Sequence, residues 1–405
     1  MSDAPRLRAV EAFPVEQEGQ RYVALRDPAG YVAEVIMLPV DLVEVLALFD
    51  GEHPISAIQA ELLRRHGERV ARASLEQLIG ELDAHGFLES PAFARRRAAI
   101  DDAFLGAPRR PASHAGGAYP DDPAELRSRM DGFFTSPQGP GAVGDFQGGG
   151  VSGLIAPHID FHRGGPAYAW AYRDLAERCD ADLFVIFGTC HAGMADPFAL
   201  TRKDYDTPLG PARVDREVVE ALAARAGQDC FGSELAHRNE HSIEFQAVFL
   251  SYLYAGRRDI RIVPVLTSFA HEALARGQRP DDDPRVGRFL DALADLAGSG
   301  RRVAFIAGAD LAHVGPRFGD PQPVSPAELG TIDREDREML RAVQAGDPEG
   351  FFESVRADGD RRRICGLSPI YTLLRVRAGA KGLLRQYGQW PDPQGVVSFA
   401  SVVFS

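Results

Sequence analysis

The spacing of apolar residues changes character along the 405-residue chain. Before about residue 90 the apolar blocks are short and mixed. RYVALRDPAGYVAEVIML, residues 21–38, reads as two strands around an Asp-Pro-Ala-Gly turn. Leu42, Val45, Leu46 and Phe49 then recur at helical spacing, with Gly51 just past the end. A second helix is predicted from Ile55. A third is predicted from Ser74, where Gln77 completes a capping box ahead of a stripe of Leu75, Leu78, Ile79 and Leu82. GFLES, residues 86–90, reads as the start of a wing. Strands, short helices and a wing predict a winged-helix-like α+β domain over residues 1–93.

Residues 94–111, rich in Arg, Ala and Pro, read as a linker. From Val151 the pattern becomes a regular alternation. VSGLIAPH (151–158), ADLFVIFGTCH (181–191), IRIVPVLT (260–267) and RRVAFIAGADLAH (301–313) are nearly continuous apolar runs. Between and after them lie helical patterns: 166–179, with Pro166 suited to a first turn, 215–227, with Asp215 as a cap, and 284–298, 334–346 and 367–379. Residues 381–390 and 395–404 add late strands. Apolar strands separated by helices predict a mostly parallel sheet covered on both faces, a three-layer α/β domain over 112–405.

Composition narrows the function classes. The chain is 45% hydrophobic and 25% charged, which is globular. No apolar run reaches the roughly 18 residues of a membrane span, and the first residues lack the apolar stretch of a signal peptide. A cytoplasmic protein with no membrane role is expected. The 58 acids exceed the 45 bases, so nucleic-acid binding, which needs a basic face, is not expected. The four cysteines (Cys179, Cys190, Cys230, Cys365) form no CxxC pair, and a disulfide framework is not expected.

The chemistry gathers at strand ends. LIAPH ends at His158, VIFGTCH at His191, and AFIAGADLAH at Asp310 and His313. In open α/β sheets ligands bind at the carboxyl ends of strands, so these groups should share one crevice. A fourth segment, EHSIEFQ, opens a helix on whose first turn His241 and Glu244 share a face. Five of the 11 histidines (158, 162, 191, 241, 313) lie in these segments. Imidazoles with a carboxylate suit iron, zinc or copper. HRNEH, residues 237–241, also fits the H-x-x-E-H pattern of inverted zinc proteases. That reading needs the whole motif on one helix, and the clear periodicity starts only near Ser242.

In order along the chain, ASHAGGAYPDDPAELRSRMDGFF, IAPHIDF, FGTCH, TPLGPARVD, EHSIEFQ, ADLAHVG and ICGLSPIYTLL resemble the motifs of the Memo family, often called AmmeMemoRadiSam system protein B in bacteria. The resemblance runs from about Ala112 to the C-terminus. It implies a fold like that of class III extradiol dioxygenases and a centre that takes iron or copper. It places the first ligand on His158, the second on His191, and a pocket histidine on His241. It also implies a third ligand, a cysteine just before the histidine of the last motif, where this chain has Ala312. The third place is then expected from His313, Asp310, His241 or Glu244. Strand alternation turns Cys190 away from the crevice. The first domain is similar to PqqD-like winged-helix domains, which bind precursor peptides.

Three function readings follow. The first is a metal-dependent, redox-related protein holding Fe(II), or copper or zinc, through His158, His191 and His313. In it His241 or His313 is the acid/base, and Asp310 and Glu244 orient a histidine. Its partners would be a radical SAM enzyme or an AMMECR-like protein of the same system, and a peptide held by the first domain. The second is a non-catalytic binding module whose pocket lost its ligand at Ala312. The third is an extradiol-type non-haem iron dioxygenase, with Glu244 or Asp310 as the carboxylate ligand.

Overall fold

The computed structural model describes residues 4–67 and 69–405; residues 1–3 and 68, which fall in the predicted first domain, lie outside the described residues. The chain divides into two compact units, Met1–Gly106 and Ala107–Ser405. None of the described helices is long and apolar enough to cross a membrane.

The first unit carries an antiparallel sheet ordered β1 (Glu11–Gln17), β2 (Gln20–Arg26), β3 (Ile36–Pro39). Helices α1 (Val43–Leu46), α2 (Ile55–His66) and α3 (Arg72–Ala84) follow. Phe49, Ile58, Leu75, Leu82 and Phe87 are buried in a core of their own. Helix α3 starts two residues before the predicted Ser74, with Ala71 as N-cap and no side-chain cap. The stripe of apolar residues sets the helix, and the capping pattern inside its first turn does not. Residues 86–90 form a single bridge, Leu7 to Leu88. Most of the predicted linker is helix α4 (Pro91–Gly106), and it belongs to the first unit. Its Ala and Arg content favours helix, and its buried Phe93 and Phe104 lie three turns apart on one side.

The second unit opens with β4 (Arg109–Arg110) and α5 (Pro123–Thr135), then continues β5 (Gly153–Ala156), α6 (Phe161–Arg178), β6 (Leu183–Thr189), β7 (Phe198–Leu200) and β8 (Asp204–Tyr205). Next come α7 (Arg216–Ala226), α8 (His241–Tyr254), β9 (Arg261–Thr267), α9 (Ala270–Ala275), α10 (Pro284–Ala297), β10 (Val303–Gly308) and β11 (Asp310–Val314). The chain ends α11 (Pro326–Ala345), α12 (Pro348–Arg356), α13 (Leu367–Val376), β12 (Gly382–Asp392), β13 (Gly395–Phe404). Asp215 caps α7 through Val218 N–H, as predicted. Pro166 stands inside α6, which begins five residues earlier at Phe161.

The main sheet runs β11-β13-β5-β10-β6-β9-β7, with β12 on β13. Its centre, β5-β10-β6-β9, is parallel, and the flanking strands are antiparallel. The central runs are buried throughout, which explains their unbroken apolar composition. Gly188 and Gly308 pair in register, and a Cβ on either would lie within 2.6 Å of α8 atoms. Gly153, three residues from Ala156 in the same row and so on the other face, looks toward Leu373 of α13. Helices thus cover both faces, and the two glycines let the first turn of α8 settle onto the carboxyl ends of β6 and β10.

Candidate metal centre

Each polar group is delivered by an element boundary. His158 follows β5 by one proline, His191 follows β6, Asp310 opens β11, and His241 is the first residue of α8. Cys365 lies just before α13, so its sulfur sits near the positive end of that helix.

His158 and Asp310 are buried, and the His158 backbone N–H donates to Asp310 Oδ1 at 3.0 Å. The His158 Nδ1 faces the Gly308 carbonyl at 2.9 Å, and a carbonyl only accepts, so Nδ1 carries a proton and Nε2 points onward. His191 Nδ1 lies 3.0 Å from both oxygens of Glu240, which fixes the same tautomer. The two Nε2 atoms meet one sulfur: Cys365 Sγ is 3.2 Å from His158 and 3.3 Å from His191. Ligand atoms of His158, His191 and His241 also lie within 4.8 Å of one another. The His241 ring stacks on His191 with centroids 4.6 Å apart.

This donor set fits a metal ion. Tetrahedral S–M–N ligation needs an S···N separation of roughly 3.5 Å from ordinary bond lengths, so the observed spacings must open by only a few tenths. Each imidazole has its far nitrogen tied to an acceptor, the arrangement that orients metal-binding histidines. Burial opposes the charge on His158, but Cys365 and Asp310 override it and hold the imidazolium up to about 9. Burial likewise opposes the thiolate, but His158 and His191 bring Cys365 well below the usual thiol range. Burial keeps His241 well below the ordinary imidazole range despite Glu240, which favours its neutral form.

A buried knot supports the crevice. Arg110 on β4 is fully buried and pairs with the equally buried Glu244, Nη1 to Oε2 at 2.5 Å. The same guanidinium donates to the carbonyls of His237 (2.8 Å) and Glu240 (2.7 Å). Glu244 also accepts from Tyr119, from Ser113 Oγ at 3.0 Å and from the His114 N–H at 3.0 Å. Burial alone would raise its carboxyl, but Arg110 and these donors hold it far below the usual range. Glu244 is therefore committed to structure. Glu240, whose carbonyl the knot pins, caps α8 by accepting from Ser242 N–H at 2.9 Å and orients His191.

The predicted residues separate. His158, His191, Asp310 and His241 come together. His313 does not join the three converging histidines: its Nδ1 lies 3.1 Å from the Leu311 carbonyl and its ring meets Phe318 edge-on. Ala312 stands where a third ligand was expected; from another loop, Cys365 brings its sulfur to the Nε2 atoms of His158 and His191. His237 does not share a helix with His241. It lies in a 3₁₀ turn, buried, with Nδ1 2.8 Å from Tyr205 Oη and Nε2 3.0 Å from the Ala199 carbonyl. Both nitrogens are used, so the protease motif has no zinc-binding pair.

Burial lowers His237 to about 3. The unfolded chain protonates near the ordinary 6.5 and the folded chain does not, so this contribution to stability is lost as pH falls from 6.5 toward 3. His241 acts with the same sign. His158 and His191, shifted upward, are protonated in both states below 6.5 and add no slope there. Denaturant midpoints at pH 6.5 and 4.5 should fall apart by about 2–3 kcal/mol for one such proton, and His237→Gln should narrow that gap. An unchanged gap would refute the assignment.

Sequence reasoning missed Cys365, Arg110, His114 and Tyr119. Cys365 had one signal, its place in ICGLSPI directly before a helix. The sequence profile described as "Memo-like protein" matches residues 110–403. A MEMO1 family protein of Aquifex aeolicus is 28% identical over 400 residues, covering 98% of this chain and 99% of that one. A MEMO1 family protein of Methanopyrus kandleri is 32% identical over 302 residues, covering 72% of this chain and 96% of the relative. Among solved structures, an uncharacterized protein from Escherichia coli K12 aligns over 63% of this chain and all of that one, but its TM-score of 0.38 at 16% identity is too low to argue a shared fold. With a family match that spans nearly all of the α/β unit and includes every residue of the crevice, this chain belongs to the Memo family.

Proposed function

We propose that this Memo-family chain is a redox-related metal protein, with His158, His191 and Cys365 as its ligands. The observation that carries the reading is the meeting of two Nε2 atoms and one sulfur within 3.3 Å, each imidazole held from behind by an acceptor. Iron is the first choice, with copper and zinc as alternatives; the thiolate adds the soft donor that copper(I) favours. A bound iron or copper ion would supply one-electron and Lewis-acid chemistry at this point. His241 is the proton acceptor beside it, and Asp310, with His313 nearby, orients His158.

The reading extends to a system. The chain would work in the cytoplasm with a radical SAM enzyme or an AMMECR-like protein, as the AmmeMemoRadiSam resemblance implies. The first unit would be a PqqD-like winged-helix module. A groove of about 480 Å³ in it, floored by Leu42, Val45, Leu62 and Leu78 and edged by Asp41 and Glu44, is of a size and character to hold a peptide side chain. An extradiol-like fold for the second unit accords with its parallel central strands. A dioxygenase would need a carboxylate ligand, and Asp310 is the candidate, since Glu244 is taken up by Arg110. Against the emptied-pocket reading stands the Cys365 sulfur beside both imidazoles, a donor that would serve in the third place.

The test loads the chain anaerobically with one equivalent of Fe(II), then measures oxygen uptake with ascorbate and a catechol. Uptake above free Fe(II), reduced by His241→Ala, supports a redox role. Uptake equal to free Fe(II) rejects it.

A further inference from the structure

The loop that carries Cys365 is held by a second buried ion pair outside the donor cluster. Arg362 and Asp336 are both buried, and Arg362 Nη1 bonds Asp336 Oδ1. The other Asp336 oxygen accepts from Tyr387 Oη at 2.9 Å and from Ser398 Oγ. Ser398 Oγ accepts in turn from the Ala312 N–H at 2.9 Å. One carboxylate on α11 thus joins β12, β13, β11 and the Cys365 loop.

The loop is also forced into an unusual path. Asp360 and Arg363 have φ of +54° and +52°, left-handed values that cost a non-glycine residue free energy. Backbone bonds then stitch the loop to β11: the His313 N–H to the Arg362 carbonyl at 2.7 Å, Cys365 N–H to the Leu311 carbonyl at 3.1 Å, and Gly366 N–H to the Asp310 carbonyl at 2.8 Å. The approach is so close that a Cβ on Gly366 would come within 2.6 Å of the Asp310 carbonyl oxygen. Asp310 is the residue that receives the His158 backbone N–H. The frame that fixes the sulfur is therefore the frame that fixes one of its imidazole neighbours.

A charge pair in this position does more than fill space. Strained backbone persists only where surrounding contacts over-determine it. The sulfur stands three residues from Arg362 on that strained segment, and a shift of about 1 Å would break its register with both Nε2 atoms. We propose that Asp336 and Arg362 are positioning residues for Cys365, holding its sulfur at the point where it meets His158 and His191. The inference rests on the metal reading above, and the test keeps the two apart.

The test uses full-length protein and Co(II). In the native chain Co(II) should give a thiolate charge-transfer band in the near ultraviolet. Asp336→Asn, close in shape but uncharged, should weaken Co(II) binding about 10- to 100-fold, the range for groups that support metal ligands, and reduce or shift that band in the folded protein. Arg362→Lys, which keeps the charge, should recover part of both, and it stands in if Asp336→Asn does not fold. A variant that melts earlier yet keeps the native Co(II) affinity and band overturns the proposal. If the native chain binds no Co(II), the metal reading falls instead. The positioning claim is then decided by iodoacetamide labelling of Cys365, read by peptide mass spectrometry. A several-fold slower rate in Asp336→Asn supports displacement of the sulfur from its imidazole partners, and an equal rate overturns it.

Discussion

Cys365→Ala is expected to weaken metal binding at least about 100-fold, as judged by competition with a chromophoric chelator. Supporting residues of metal ligands are worth 10–100-fold, and a direct donor should reach or pass the top of that range. The effect is large because the sulfur is shared: it is within 3.3 Å of both imidazole Nε2 atoms, so its loss opens the cluster from both sides. It also removes the only soft donor among the converging described groups, so copper(I) should lose more than zinc. Affinity within a few-fold of native would move the third ligand back to His241 or Asp310.

Glu244→Gln is expected to be among the most destabilising single changes in the second unit. Arg110 and Glu244 are wholly buried, and removing one charge leaves the other without its counterion in a dry interior. Such losses cost about 3–5 kcal/mol, or roughly 10 °C in melting temperature for a unit of this size. The consequence is not confined to stability. Arg110 would no longer be anchored where it holds the Glu240 carbonyl, and Glu240 orients His191. Calorimetry should show the shift, and metal affinity measured well below the melting transition should fall with it. A melting change under 2 °C would mean that the pair is not the keystone of the crevice.

How far the sequence foretold this site depends on the range of the signal. Buried parallel strands leave unbroken apolar runs, so β5, β6, β9 and β10 are legible, and so are the histidines at their ends. A chain direction reversing at a strand end and a polar residue there are both local facts. Cys365 is different. It lies 207 residues from His158 and 174 from His191, and only the folded sheet brings them together. A lone cysteine before an apolar helix reads as core. Arg110 was illegible for the same reason: in a basic, proline-containing stretch it looks solvated, yet Glu244, 134 residues away, draws it inside. His313 misled in the opposite way. It shares a strand with Asp310, and the bulge between them pairs the two with Val397 and Phe399 on one face of β13, but its Nδ1 stays beside the Leu311 carbonyl and its ring turns to Phe318.

The most direct test of the central claim is metal content by mass spectrometry on tag-free protein, purified anaerobically without chelator, beside a His158→Ala/His191→Ala variant. The account predicts close to one iron, copper or zinc ion per native chain and almost none in the variant, with both proteins folded by circular dichroism. A native chain that is metal-free and also refuses added Fe(II), Zn(II) and Cu(I) would contradict it.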